Sequence, residues 1–221
     1  MNKKLFTFKK LMTYIGMSLV FVIIGYLILY LVAMPVINVA LPVWNMVKLS
    51  SPCNLSDEYE DTFKGSTVFE GTVKSSDIKF PSYGDRYANL KIPSAGIDAP
   101  VFWGDGDKQL KLGLGHYLGS NYPGMGSTVL IAGHNHTFLH TIDKAVIGDE
   151  IILTTDYGVY TYVIDKVEIA SKSSTSVYDL NANYENLVLY TCYPLTTLGL
   201  TSQRYYVCAK LKSGPTIYTG E

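Results

Sequence analysis

Short apolar runs of β type, separated by Gly, Pro, Asp and Ser, dominate the chain from Tyr87 to Leu211. Val, Ile, Tyr and Thr favour strands, and the residues between the runs favour turns. In the last run, every second side chain from Tyr205 to Leu211 is apolar, which indicates a strand with one buried face. We predict seven strands: Ala88–Ile92, Ala99–Phe102, Thr128–Gly133, Glu150–Thr154, Val159–Glu168, Leu187–Thr191 and Tyr205–Leu211.

The segments between these runs leave little room for helix. Asp156-Tyr157-Gly158 separates two strands and is typical of a hairpin turn. Two stretches have a helical pattern, Asp107–Leu114 and Phe138–Ala145. Seven or eight short strands with two or three short helices predict an all-β fold, a closed or nearly closed barrel.

A second feature is the charge-free segment from Leu11 to Met34. As a helix it would extend about 36 Å, enough to cross a hydrocarbon core of about 30 Å. Lysines precede it at positions 3, 4, 9 and 10, so the amino terminus is expected to stay in the cytoplasm. A cleaved signal peptide has a shorter apolar core, so we favour an uncleaved, single-pass anchor in the cell membrane.

These features divide the chain into five predicted segments. They are a cytoplasmic tail (1–10), a transmembrane anchor (11–34), a stalk (35–80), an extracellular domain (81–213) and a carboxy-terminal tail (214–221). In the stalk, Ser56–Lys64 has the composition of a short helix, and Cys53 is interpreted as a spare thiol.

Charge and cysteine content exclude a nucleic-acid-binding protein and a small domain stabilised by disulfides. Without the four amino-terminal lysines, 14 basic residues face 19 acidic ones with no basic cluster, which gives no footprint for nucleic acid. Three cysteines are too few, and odd in number, for a disulfide framework. The exported part is therefore expected to depend on an ordinary hydrophobic core.

Cys192 is the candidate nucleophile. It ends the apolar run Leu187–Thr191, and Arg204 opens the next run after a turn with Pro194. Neighbouring strands would bring both residues to one end of the sheet, where a cation favours the reactive thiolate. Most free cysteines are simply buried, and that is our interpretation of the mid-strand Cys208.

His134 is the candidate acid and base. It follows Gly133 at the end of the run Thr128–Gly133, where we expect glycine to allow an unusual backbone conformation. A neutral imidazole takes up a proton, and its cation returns one to a leaving amine. Arg204 stays protonated, so its predicted role is to stabilise an oxyanion or grip substrate carbonyls.

The other histidines leave an alternative open. We interpret His116 as a loop residue near the rim of the site, and His136 and His140 as surface residues. His134, His136 and His140 together would instead suit an anchored extracellular metal-binding protein. That interpretation leaves Cys192 and Arg204 without a role.

The combined motifs resemble those of sortases, the membrane-anchored cysteine transpeptidases of Gram-positive bacteria. Leu187–Pro194 is similar to their strand-end cysteine signature, although its first threonine is missing, and Ile131–His134 is similar to their histidine motif. Arg204 stands at their usual distance beyond the cysteine. The chain order of histidine, cysteine and arginine also agrees.

The resemblance implies an eight-stranded β-barrel with a groove that binds an LPxTG-like sorting signal. Cys192 would attack the Thr–Gly carbonyl and form a thioacyl-enzyme, His134 would transfer protons, and Arg204 would stabilise the oxyanion. The partners would be secreted proteins with a carboxy-terminal sorting signal and an amine of a peptidoglycan precursor.

Among the sortase classes, the sequence is most similar to class D, with class A or E next. The short stretch from Ala170 to Asn186 is too brief for the helical insertion of class B. No cofactor is expected. Some sortases bind calcium near the groove, but for Asp105, Asp107 and Glu168 we favour surface solvation.

Overall fold

The structure is a computed structural model that describes residues 12–34, 63–174, 176–197, 199 and 201–218. The chain divides into two compact units, Met1–Lys48 and Leu49–Glu221. Cys53 and nearly all of the predicted helix Ser56–Lys64 lie outside the described residues.

The described part of the first unit is one helix, α1, Met12–Met34. It contains no charged residue, and nearly all its side chains are exposed. The helix is long and apolar enough to cross a membrane, in agreement with the predicted anchor.

The described part of the second unit contains ten strands and one short α-helix, α2, Asp107–Leu112. Eight of the strands form a closed barrel in the order β2-β3-β4-β5-β8-β9-β7-β6. The remaining two, β1 and β10, pair in parallel. The strands are β1 Thr72–Lys74, β2 Arg86–Ile92, β3 Ile97–Trp103, β4 Leu114–His116, β5 Thr128–Ala132, β6 Glu150–Thr155, β7 Val159–Ser171, β8 Asn186–Tyr193, β9 Gln203–Ser213 and β10 Thr216–Tyr218.

The all-β barrel is confirmed, and so are the seven predicted strands, with shifted ends. The hairpin at Asp156–Gly158 joins β6 to β7 as expected. The predicted helix Phe138–Ala145 is wrong, because that segment forms turns and a single 3-10 turn, Ile142–Lys144. Leu139 and Ile142 are both buried, and a 3-10 turn places residues three apart on one face.

The barrel interior is the main hydrophobic core. Alternate residues of β8 and β9, including Leu187, Leu189, Val207 and Ala209, point into it. The outer face of the same strands is also covered, because Val188 and Tyr206 pack against Val177 from the β7–β8 connection. Both faces of these strands are therefore packed, and the pairing of β8 with β9 positions the candidate site.

The stretch before β2 packs onto the barrel. Ser66 N donates to Thr155 O at 2.8 Å, and Val159 N donates to Val68 O at 2.7 Å. Ile78 is buried in the core. The chain from residue 63 onward is therefore in contact with the barrel, although residues 63–80 belong to the predicted stalk. Strand β10 lies within residues 214–221, the predicted carboxy-terminal tail.

Candidate active site

Cys192 and Arg204 are directly opposite each other in the sheet. They are partners in the antiparallel register of β8 and β9. The sequence predicted that the two residues lie at the same end of the sheet, and the pairing confirms this proximity. Their chemical roles remain predictions.

His134 follows β5, which pairs with β8 on the side opposite to β9. Strand β5 runs parallel to β8, with Ala132 level with Tyr190. One residue further, Gly133 N donates to Tyr190 O at 3.1 Å, and Thr191 Oγ1 donates to Gly133 O at 2.7 Å. His134 lies two residues beyond Ala132, and Cys192 lies two residues beyond Tyr190, so the imidazole follows the end of β5 on the side of β8 opposite to Arg204.

Alternation along β8 places the thiol outside the barrel. Leu189 and Thr191 are buried, whereas Tyr190 and Cys192 are only partly buried. The Cys192 side chain thus lies on the outer face, where a peptide can reach it.

Gly133 has a different role from the one expected. It does not adopt a positive φ. A Cβ atom here would lie 2.6 Å from side-chain carbons of both Leu114 and Leu139. Glycine is needed at this position because the backbone approaches the core closely, which seats the start of the His134 segment against the barrel.

The surroundings of His134 favour its neutral form. Partial burial lowers the pKa of the imidazole below its usual 6.5, and the neighbouring His136 and Lys111 act in the same direction. The negative charge of Asp107 raises the pKa of His134 but does not outweigh these effects. A neutral His134 near pH 7 can accept the thiol proton.

Arg204 is held by hydrogen bonds from one terminal nitrogen of its guanidinium. Its Nη1 donates to Thr201 O and Oγ1, both at 3.1 Å, and to Gln203 O at 2.9 Å. These bonds restrict the side chain before any substrate binds. A preorganised cation of this kind is suited to stabilise developing negative charge.

The two described cysteines differ in their surroundings. Cys208 packs beside Tyr206 and Val188 on the outer face, and burial raises the pKa of its thiol to about 11. A thiol protonated at neutral pH is a poor nucleophile. The packing role inferred for Cys208 from its mid-strand position therefore agrees with its surroundings.

His116 is not a rim residue, contrary to expectation. It ends β4 and is completely buried, with Nδ1 2.5 Å from Tyr87 Oη and Nε2 2.8 Å from Ser120 Oγ. Trp103 and Tyr122 pack around its ring. Burial lowers the pKa of His116 to about 3, so it is a neutral core histidine. Strand β4 has only three residues, and neither Gly115 nor Tyr117 beside His116 gave a sequence signal of this burial.

The proposed metal cluster gains no support from the geometry. The rings of His134 and His136 stack with centroids 5.2 Å apart, whereas His140 is exposed with its Nδ1 2.6 Å from Thr137 O. Within the described ranges, no group of three or more His, Cys, Asp and Glu side chains is arranged to hold a metal ion.

Asn135 is a buried polar residue that the sequence reasoning missed. It follows His134 directly, and its side chain contacts the loop after Cys192. That loop begins with a cis peptide bond between Tyr193 and Pro194. A polar residue between two histidines was the only sequence signal, and it does not reveal the partners.

Comparison with known proteins agrees with this geometry. The sortase-domain family model matches residues 90–212, more than half of the chain, and the chain belongs to the sortase family. It is 33% identical over 130 residues to sortase D of Bacillus subtilis (strain 168), and the match covers 59% of this chain and 66% of that protein, just under two thirds.

Solved structures show the same relationship. Sortase E from Streptomyces avermitilis is 33% identical with a TM-score of 0.52, over 61% of this chain and 92% of that one. A Clostridium perfringens sortase D5 transpeptidase is 29% identical with a TM-score of 0.54, over 60% and 82%. The resemblance drawn from the cysteine and histidine motifs is therefore confirmed.

Proposed function

We propose that this chain is a membrane-anchored cysteine transpeptidase that joins secreted proteins to a cell-wall amine. The observation that carries the proposal is the strand register, which sets Cys192 opposite Arg204 and ends the pairing of β5 with β8 at Ala132 and Tyr190, two residues before His134 and Cys192. Thiol, imidazole and guanidinium supply a nucleophile, a proton carrier and an anion-stabilising group.

The first half-reaction forms a thioester. Cys192 Sγ attacks the Thr–Gly carbonyl carbon of an LPxTG-like signal while His134 takes the thiol proton. Arg204 stabilises the oxyanion of the tetrahedral intermediate. The C–N bond then breaks, and the His134 imidazolium returns its proton to the departing glycine amine.

The second half-reaction restores the enzyme. An amine of a peptidoglycan precursor attacks the thioester carbon, and neutral His134 removes a proton from that amine. The C–S bond breaks, Cys192 recovers a proton from His134, and a new amide links the protein to the wall precursor. Two successive attacks thus exchange one amide for another without net hydrolysis.

All three chemical tasks are met by protein groups, so we propose that no cofactor takes part. Calcium near Asp105, Asp107 or Glu168 is not needed for this chemistry. Addition of a chelator to the purified enzyme should leave turnover unchanged, and a calcium-dependent rate would contradict this assignment.

We further propose that α1 anchors the enzyme with the catalytic domain, residues 81–213, outside the cell. The lysines before α1 favour retention of the amino terminus in the cytoplasm, and sorting signals and wall precursors meet outside.

The test uses the full chain in detergent micelles, with LPxTG-type peptides that differ at their variable positions and a soluble amine. We expect a peptide–amine product from the wild type and none from Cys192→Ala. His134→Ala should nearly abolish turnover, and Arg204→Ala should reduce it on the order of a hundredfold, as for a lost oxyanion donor. Full turnover by Cys192→Ala would refute the proposal.

A further inference from the structure

Asn135 connects the two segments that carry the thiol and the imidazole. The side chain is only 4% exposed. Its Nδ2 lies 3.2 Å from Pro194 O, 2.9 Å from Leu195 O and 3.0 Å from Thr197 O, all in the loop that follows Cys192. One amide group thus bonds three carbonyl oxygens from one short loop.

These contacts determine which way the amide faces. Carbonyl oxygens only accept hydrogen bonds, so the NH2 group of Asn135 must point to the loop. Oδ1 then faces Nδ1 of His136 at 3.2 Å, and this nitrogen must carry the proton that Oδ1 accepts. The His136 ring, oriented in this way, stacks on His134 with an interplanar angle of 25°.

We propose that Asn135 is a positioning residue that keeps Cys192 and His134 in reacting geometry. Main-chain pairing of β5 with β8 ends near Gly133 and Tyr190, before either reacting group is reached. Beyond that point, Asn135 ties the histidine segment to the loop after the cysteine. The inference rests on the proposed function, in which these two residues form the reacting pair.

The same contacts shape the surroundings of His134. Partial burial, His136 and Lys111 lower its pKa, and Asp107 raises it. Removal of the Asn135 amide frees both the loop and the His136 ring. More water then reaches His134, so its pKa should rise towards the usual 6.5.

The chain offers a matched control in Asn186, at the opposite end of β8. Its Nδ2 donates to Thr128 Oγ1 at 2.9 Å, which also links β8 to β5, and to Tyr184 O at 3.3 Å. Asn186→Ala therefore removes another amide that links two chain segments, at the end of β8 away from Cys192.

The experiment compares Asn135→Ala with Asn186→Ala in the full chain in micelles. Steady-state kinetics use the sorting-signal peptide, and NMR follows the titration of the His134 ring. We expect Asn135→Ala to lower kcat about tenfold to a hundredfold with KM little changed, the effect of misplaced reacting groups. Its His134 pKa should rise, whereas Asn186→Ala should alter neither kcat nor this titration.

A second variant covers the case in which Asn135→Ala does not fold. Asn135→Ser retains one donor and should give an intermediate loss of kcat. An unchanged kcat and His134 titration in Asn135→Ser or Asn135→Ala would overturn the proposal, and so would equal effects from Asn186→Ala. If the wild type turns over no peptide, the proposed function fails, yet the NMR comparison still decides whether Asn135 organises the His134 segment.

Discussion

At the scale of single residues, protonation determines which groups can react. Burial leaves Cys208 as a neutral thiol and His116 as a neutral core imidazole, so neither competes with the groups at the end of β8. His134 differs because its pKa is lowered while its ring stays partly exposed. The same residue types therefore serve packing in one place and, in the proposed function, chemistry in another.

The lowered pKa of His134 predicts the pH dependence of thioester formation. A pKa below 6.5 means that the neutral base persists as the pH falls through 6.5, and that the rate declines only at lower pH. His136→Asn removes a neighbour that lowers this pKa, so the acidic decline should move to higher pH. Single-turnover rates measured against pH check this.

His140→Asn is the control for that experiment. His140 is exposed, and its Nδ1 contacts Thr137 O. Its replacement should leave the acidic decline where it is in the wild type. A decline that moves equally in both variants would show that His136 has no specific influence on His134.

At the scale of strands and loops, side chains hold the barrel connections in place. Glu185, just before β8, accepts hydrogen bonds from Gly124 N and Gly126 N at 3.0–3.1 Å and from Tyr162 Oη at 2.8 Å. It thereby fastens the β4–β5 connection to the start of β8. Three donors depend on one carboxylate.

Glu185→Ala should therefore be strongly destabilising. It leaves the buried Tyr162 hydroxyl and two backbone N–H groups without this acceptor, which should lower the free energy of unfolding by about 2–4 kcal/mol. Glu150→Ala is the control, because it removes only a surface ion pair with Lys212 worth about 0–1 kcal/mol. Denaturant unfolding of both variants provides the comparison, and similar losses would contradict the role of Glu185.

Strand prediction succeeded where local pattern and tertiary packing agreed. The seven predicted strands contain enough β-favouring residues to be visible, whereas β1, β4 and β10 have only three residues each. The 138–145 segment was misjudged because residues three apart, such as the buried Leu139 and Ile142, share a face in a 3-10 turn as well as in an α-helix, so their spacing does not distinguish the two.

The sequence indicated the candidate reacting residues, but it did not indicate the hydrogen bonds that hold their segments in place. Cys192, His134 and Arg204 stand at strand ends that the sequence itself marks. The bonds from Asn135 to Pro194, Leu195 and Thr197 join positions about 60 apart, which only the folded chain reveals. The burial of His116 was hidden for the same reason.

At the scale of the whole molecule, the chain combines an apolar helix with a barrel whose candidate site lies on an outer face. Helix α1 is suited to a membrane, and four lysines precede it. An enzyme that joins secreted proteins to the wall must work outside the cell. Orientation is therefore a direct consequence of the proposed function.

Protease treatment of intact cells tests this orientation. An epitope at the carboxy terminus should be digested, and one at the amino terminus should be protected. Replacement of the four lysines at positions 3, 4, 9 and 10 by glutamate should weaken or reverse this pattern, because positive charge favours cytoplasmic retention. A protected carboxy-terminal epitope in the wild type would contradict the assignment.

The most direct measurement is the mass of the full-length protein after brief exposure to a sorting-signal peptide without an acceptor amine. Peptide mapping should place the acyl group on Cys192 in the wild type and in Cys208→Ala, with none in Cys192→Ala. An acyl group on Cys208, or product formed by a protein that never carries one on Cys192, would contradict a reaction through the thiol at the end of β8.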